Sequence, residues 1–99
     1  MREVIIEAIG NYKLLEFQYK DMKRIVEPHS FGVNTKKNTV LSAYQIDGES
    51  ESGDLPTWKL FTFDKIEKIV LLDIKFEKAR EIEGYKRNSS KMIEIIIEL

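Results

Sequence analysis

The 99-residue chain contains no cysteine, and its only histidine is His29. Without cysteine it has no disulfide framework, no thiol nucleophile and no thiolate ligand for a metal. A structural zinc site needs several nitrogen or sulfur ligands, so one histidine excludes a zinc site made from these side chains. A Ser–His–Asp arrangement would have to use His29, and no serine lies in the glycine pattern of a nucleophile elbow.

Glycine is sparse and scattered. The five glycines stand at positions 10, 32, 48, 53 and 84, so the chain has neither a P-loop nor a dinucleotide-binding fingerprint. The 17 acidic residues leave a catalytic carboxylate pair open, but no spacing singles one out. We therefore expect a protein that is not an enzyme and that uses no cofactor and no metal.

Neither one sign of charge nor a long apolar run dominates the chain. The formal net charge is −1 at pH 7, which gives no overall attraction to nucleic acid or anionic lipid, although the 16 Lys and Arg residues leave room for a local basic patch. The longest apolar run is residues 69–72, whereas a membrane-spanning helix needs about 20 residues. Residues 1–3 begin without the apolar run of a signal peptide, so we expect a cytoplasmic protein without a membrane partner.

One short helix and five strands are predicted. Residues 2–9 follow a helical period, and the pair Gly10-Asn11 that follows suits a helix C-cap because glycine readily adopts positive φ. The period then changes to two, so that Leu15, Phe17 and Tyr19 share one face of a strand over residues 12–20. Further strand segments follow at residues 24–33, 39–46, 57–63 and 69–76.

These elements predict a mostly β (α+β) fold, a small closed or half-closed barrel of about five strands with a short N-terminal helix. Pro28 lies within the second strand, where proline predicts an edge, a bend or a bulge. Residues 47–56 contain four acids and no Lys or Arg, which is typical of a long solvated loop, with an acidic docking surface as the alternative.

The C-terminal tail has two interpretations. Its apolar residues at helical spacing are Met92, Ile95, Ile96 and Leu99. The β-branched run at residues 95–97 favours a strand instead, and of the two we prefer the helix. We assign residues 1–76 to the barrel with its helix, and residues 77–99 to an extension that packs on the barrel or swaps from it.

Several segments carry a more specific pattern. Residues 24–29 read Arg-Ile-Val-Glu-Pro-His and precede Phe31-Gly32. The other segments are Ile5 to Ile9, Leu-Glu-Phe-Gln-Tyr at 15–19, Thr-Val-Leu-Ser-Ala-Tyr at 39–44 and Trp-Lys-Leu-Phe-Thr-Phe-Asp-Lys-Ile at 58–66. Together, in this order, they resemble a WYL domain over roughly residues 4–72.

The chain departs from the family pattern at several positions. Of the Trp-Tyr-Leu tripeptide that names the family only Leu41 is kept, with Thr39 and Val40 before it. Thr62 and Lys65 stand where the closing strand and turn usually carry arginine. The resemblance implies a compact, stand-alone WYL-like protein of a kind found in bacteria and phages, with an SH3-like (Sm-like) β-barrel. Family members regulate transcription and defence systems, and their WYL domains are thought to sense nucleotides or bind nucleic acid.

Six residues are candidates for ligand binding: Arg24, His29, Tyr44, Lys65, Lys23 and Trp58. Arg24, beside Lys23 and next to an expected groove, can offer a phosphate a bidentate fork, and the alternative is a solvated cation at a strand edge. His29 can hydrogen-bond a base or a phosphate, or satisfy the backbone of its neighbours.

For the aromatic and basic candidates, too, a role in ligand binding has an alternative, which is a place in the core or on a solvated surface. Tyr44 and Trp58 can stack on bases, or they can belong to the core. Lys65 can add charge for a phosphate, although Glu67 nearby weakens the field. The densest basic cluster is Lys86, Arg87 and Lys91. That cluster is either part of a binding surface or a solvated face.

Two functions follow as hypotheses. The first is a regulatory module that binds nucleic acid or nucleotides in transcriptional or defence regulation. The second is a protein-interaction or oligomerisation module without nucleic-acid affinity, in which the apolar tail meets a second copy or another protein.

Overall fold

Strands dominate the chain, and its single α-helix comes first. The computed structural model describes residues 1–99, of which 53% lie in strands. The elements in chain order are α1 (Arg2–Gly10), β1 (Lys13–Tyr19), β2 (Met22–Asn34), β3 (Thr39–Gly48), β4 (Thr57–Thr62), a 3-10 turn (Phe63–Lys65), β5 (Glu67–Lys75) and β6 (Met92–Glu98). No helix has the length and apolar character needed to cross a membrane.

All six strands belong to one antiparallel sheet. β1 to β4 form a meander, and β5 returns to pair with β1, which gives the order β4-β3-β2-β1-β5. The prediction of a mostly β fold with a short N-terminal helix is confirmed. The sheet has six strands rather than five and is not closed, because β4 and β5 end the path without pairing with each other.

Helix α1 covers one end of the core. Its buried residues Ile5, Ala8 and Ile9 pack with the inward side chains of the strands, among them Phe17. The helix ends at the predicted pair Gly10-Asn11, with Asn11 as its C-cap, but Gly10 does not adopt positive φ. The Asn11 backbone N–H and side-chain amide both donate to the carbonyl of Glu7, at 3.0 and 2.9 Å, so the last turn needs no glycine at positive φ.

The long strand β2 changes partners along its length. Its first half pairs with β1, and residues 30–34 pair with β6, while β3 follows it along the other edge. The register against β3 shifts between Pro28 and Ser30. Proline has no N–H to donate to the ladder, so an irregularity at this point agrees with the sequence prediction.

Of the two interpretations of the tail, the preferred helix was wrong and the alternative strand is observed, because residues 92–98 form β6. Beyond the end of β1, the β2 edge would otherwise leave its backbone groups unpaired. The β-branched isoleucines of the tail suit this position, and β6 closes that edge within the same chain. Gly32 permits the approach, because a Cβ there would press on the carbonyl oxygen of Glu94 and lie 3.1 Å from Ile95 Cα.

Candidate ligand-binding groove

The sheet has a second face, opposite the core, which carries aliphatic, polar and aromatic side chains. On β3, Leu41 and Ala43 belong to the core. Because side chains alternate along a strand, the residues before, between and after these two point to the other face. The residues of this outer face on β3 and β4 are Val40, Ser42, Tyr44, Trp58 and Leu60. Tyr44 lies directly opposite Trp58, with ring centroids 5.2 Å apart.

A segment without helix or strand lies against this outer face. We call residues 77–91 the strap. The indole N–H of Trp58 donates to the carbonyl of Glu83 at 2.7 Å. Farther along, the hydroxyl of Tyr85 donates to the carbonyl of Leu99 at 3.1 Å, so the strap is tied both to β4 and to the C-terminal residue.

Between the strap and the outer face lies a groove of about 780 Å³. Its floor is made by Trp58, Leu60 and their neighbours on β3. One wall is the strap from residue 83 onward, and residues 34–36 line the groove next to the end of the strap, where the N–H of Thr35 donates to the carbonyl of Lys91 at 3.1 Å. The groove therefore combines residues from four separate segments of the chain, within 30–36, 40–42, 58–60 and 83–92.

The groove is basic although the chain as a whole is not. Its positively charged lining residues are Lys36, Lys86, Arg87 and Lys91, and its acidic lining residue is Glu83. Arg87 has a partner in Glu98 at 3.4 Å, whereas the three lysines form no ion pair. Asparagine, threonine and serine side chains complete the lining. This arrangement supplies positive charge, hydrogen-bonding groups and aromatic surface together.

His29 lies beneath the groove and is fully buried. Its Nδ1 lies 2.8 Å from the carbonyl oxygen of Glu27, and its Nε2 accepts a hydrogen bond of 3.0 Å from the backbone N–H of Arg80. Since a backbone N–H can only donate, Nε2 is unprotonated and Nδ1 carries the proton. Burial lowers the pKa of His29 below its ordinary value, which favours this neutral form.

Aromatic rings enclose the imidazole of His29. The ring centroids of Trp58 and Tyr85 lie 4.8 and 4.9 Å from it, both in edge-to-face orientation. Phe76 stacks on it at 5.6 Å. Burial also raises the pKa of Tyr85 to about 12, so the phenol stays neutral and acts as a hydrogen-bond donor. The cluster joins the floor of the groove to the strap.

Beside this cluster, Arg80 forms a two-pronged ion pair with Glu27. Arg80 Nε and Nη2 each donate to a separate Glu27 carboxylate oxygen at 2.8 Å. The guanidinium also lies over the ring of Tyr44, 4.9 Å from its centroid. The carboxylate raises the pKa of Arg80. Sequence reasoning missed Arg80, because it lies in a segment without periodicity and its partner is far away in the chain.

Arg24 lies elsewhere and is buried, with 1% of its surface exposed. Its Nη2 donates to Glu51 at 2.9 Å and to the carbonyl of Tyr19 at 3.1 Å, and Nη1 donates to Gln45 at 3.3 Å. This differs from the expectation that Arg24 faces an open groove. The reason is that the loop after β3 folds back and places the carboxylate of Glu51 over the guanidinium.

The six predicted residues therefore do not form one face. Trp58 lines the groove, and His29 and Tyr44 lie buried next to it. Lys65 is exposed on the 3-10 turn. Lys23 is also exposed, and its amino group lies 3.6 Å from the carboxylate of Glu16. Neither lysine lines the groove. The basic cluster that the sequence singled out at Lys86, Arg87 and Lys91 does line it.

Comparison with known proteins finds no matching family model, and no significantly similar curated protein or solved structure. The resemblance to WYL domains therefore stays a prediction from the residues that carry it.

Proposed function

We propose that this protein is a regulatory module that binds single-stranded nucleic acid or nucleotides in the groove between the strap and the outer face. The supporting observation is the placement of Lys36, Lys86 and Lys91, without ion-pair partners, around the partly exposed Trp58. In a chain with a net charge of −1, this is a local concentration of positive charge.

The chemistry of the lining suits this ligand class. Lysine and arginine neutralise phosphates, and stacking of a base on an aromatic side chain contributes about 1–3 kcal/mol. Trp58 and Tyr85 offer the aromatic surface, and Asn88 and Ser90 offer hydrogen-bonding groups. A groove of about 780 Å³ has room for a nucleotide or a short single-stranded segment.

A role in transcriptional or defence regulation follows from the WYL resemblance alone. In that setting the groove would let the module respond to a nucleotide or a nucleic-acid strand. The binding site proposed here is shifted from the predicted one, because Arg24 is covered by Glu51 and Lys65 lies outside the groove.

The test is a titration of labelled oligo-dT, oligo-rU and mononucleotides with the K86A/K91A variant and a matched control, K65A/K68A. Both variants remove two exposed lysines, but only the first pair lines the groove. We expect K86A/K91A to weaken binding and to reduce the slope of log K against log salt by about 1–1.5, since single strands give about 0.7 per phosphate contact. The control should leave both unchanged.

The three probes distinguish the ligand source. Preference for a mononucleotide assigns a sensor, and preference for either oligomer assigns a nucleic-acid binder. If none of the probes binds at low salt, or if only the control variant loses binding, the proposed function is overturned.

The second candidate is a protein-interaction or oligomerisation module. It is favoured by Ile93 on β6, which is 59% exposed, and by Leu60 at the groove, which is 58% exposed. Sedimentation of the wild type and of I93K tests it. Concentration-dependent association that I93K abolishes would support this candidate, and a monomer in both cases would exclude assembly through β6.

A further inference from the structure

We propose that the Glu27–Arg80 ion pair and His29 form a pH-sensitive latch, which holds the strap against the sheet and opens when His29 is protonated. The consequence for ligand binding rests on the proposed function of the groove. The latch itself rests on the contacts of three side chains, which hold residue 80 of the strap on β2.

Both ring nitrogens of His29 already have hydrogen-bond partners. Nδ1 donates to the Glu27 carbonyl, and Nε2 accepts from the Arg80 backbone N–H at 3.0 Å. A proton added to His29 must go to Nε2. Two N–H groups would then face each other at hydrogen-bonding distance, and neither could accept. The strap must move away at Arg80 for the imidazolium to exist in this fold.

Charged and titratable groups surround His29 on the strap, β2 and β3. Glu27 and Glu83 favour the imidazolium, whereas Arg80 opposes it. The phenol of Tyr85 lies near the imidazole, and the phenol of Tyr44 lies near the Arg80 guanidinium. Phe76 and Trp58 also contact the imidazole, but they carry no charge. Both carboxylate oxygens of Glu27 are already bonded to Arg80, so Glu27 cannot turn to the imidazolium without releasing the strap.

Movement at Arg80 also affects the groove. The chain between Arg80 and the groove wall is short, and the N–H of Tyr85 donates back to the carbonyl of Arg80 at 3.0 Å. Glu83, whose carbonyl accepts from Trp58, lies between these two residues. A displacement at Arg80 is therefore transmitted to the wall that contains Lys86 and to the indole of Trp58. Burial keeps the pKa of His29 low, so the closed state persists until the solution is acidic.

The chain provides two intrinsic reporters, because it has one tryptophan and one histidine. We would follow Trp58 fluorescence and the His29 imidazole resonance in the full-length protein as the pH is lowered, with far-UV circular dichroism as a check on the sheet. We expect one reversible step in both signals, with a shared midpoint below about 6.5 and no loss of strand signal. This pH titration, the first arm of the test, needs no ligand.

Two variants test the mechanism. H29Q removes the titrating group, and the fluorescence step should disappear. R80A removes the ion pair, and at neutral pH it should already give the fluorescence of the acid form. If H29Q does not fold, the wild-type resonance and R80A still decide the matter. A His29 midpoint at the ordinary value, or a fluorescence step that does not follow the His29 resonance, overturns the latch.

A second arm measures the affinity of labelled oligo-dT between neutral and acidic pH. Below the His29 midpoint we expect the affinity of the wild type for oligo-dT to fall by about tenfold for each pH unit. The reason is that the strap stays in place and forms the groove wall only while His29 is neutral. Affinity that stays constant through the fluorescence step would show that the latch does not regulate the groove. If neither oligo-dT, oligo-rU nor a mononucleotide binds, that result counts against the proposed function and leaves the pH titration without ligand as the test of the latch.

Discussion

The guanidinium of Arg80 and the carboxylate of Glu27 meet through two hydrogen bonds of 2.8 Å, across 53 positions of sequence. Glu27 is 4% exposed and belongs to β2, whereas Arg80 keeps 36% of its side-chain surface exposed and belongs to the strap. The pair fastens a segment without regular structure to the centre of the sheet. Its two members are therefore not equivalent, because one is sealed from water and the other is not.

This asymmetry predicts unequal effects of single substitutions. R80A leaves a buried carboxylate without its partner, and we expect a loss of about 2–3 kcal/mol in the free energy of unfolding. That is less than the roughly 3–5 kcal/mol of a fully buried pair, because Arg80 is partly exposed. E27Q leaves a cation that water can reach, so it should cost less, about 1 kcal/mol. Urea unfolding measures both.

The double variant E27Q/R80A provides the control. Since it leaves no uncompensated charge, we expect a loss smaller than the sum of the two single losses. Additive losses would mean that the two side chains act independently and that the strap is held by its other contacts.

His29 gives a second prediction, for stability against pH. Its pKa is lowered in the fold, so the unfolded chain takes up the proton first as the solution is acidified. The contribution of neutral His29 is complete above its ordinary pKa of 6.5, and it is lost as the pH falls through the lower value of the folded protein. The difference in unfolding free energy between wild type and H29Q should therefore be constant above neutrality and shrink in acid. A difference that grows in acid would contradict the assigned direction.

Local patterns in the sequence predicted what depends on neighbouring residues. Alternation at Leu15, Phe17 and Tyr19 placed the first strand correctly, because period two decides which side chains are buried. The tail was ambiguous, since helical spacing and β-branched residues compete there. What decides it is the uncovered half of β2, which is a tertiary feature that residues 92–98 do not encode themselves.

In the candidate site, too, some features could be predicted from local residue chemistry and others depend on tertiary structure. Trp58 and the basic cluster at residues 86–91 were recognisable from residue chemistry, and both line the groove. The pairing of Arg80 with Glu27 had no local signal, because it depends on how the strap crosses the sheet. Arg24 had the right chemistry for a phosphate, but the loop after β3 supplies its counter-charge.

A third prediction concerns Arg24 and Glu51. The hydrogen bond from Arg24 lowers the pKa of Glu51, so the carboxylate form is favoured in the fold. E51Q should lower the urea midpoint, because the buried guanidinium loses its counter-charge and already has one nitrogen, Nε, without a partner. E49Q is the matched control, since Glu49 lies in the same loop and forms no ion pair.

The variant R24M/E51Q extends this test. Removing the buried cation together with its partner avoids the desolvation cost, so its urea midpoint should lie above that of E51Q. Equal losses in E51Q and E49Q would instead mean that the loop charge as a whole, and not the pair with Arg24, affects stability.

A fourth prediction compares Gly32 in β2 with Gly10 at the end of α1. A Cβ at Gly32 would press on the carbonyl oxygen of Glu94 on β6 and lie 3.1 Å from Ile95 Cα, so backbone must move. G32A should cost about 1–3 kcal/mol and expose the β2 edge that β6 covers. Gly10 ends α1, and a Cβ there would meet only Ile97 Cδ1 at 3.9 Å. G10A should therefore leave stability unchanged or raise it by about 0.5–1 kcal/mol, because alanine loses less conformational entropy than glycine in a helix.

Hydrogen exchange of the amides of residues 92–98 checks the cause of the expected loss in G32A. These amides should lose protection before the rest of the sheet in G32A, and they should keep it in G10A. Uniform loss of protection in G32A would mean that β6 does not open separately.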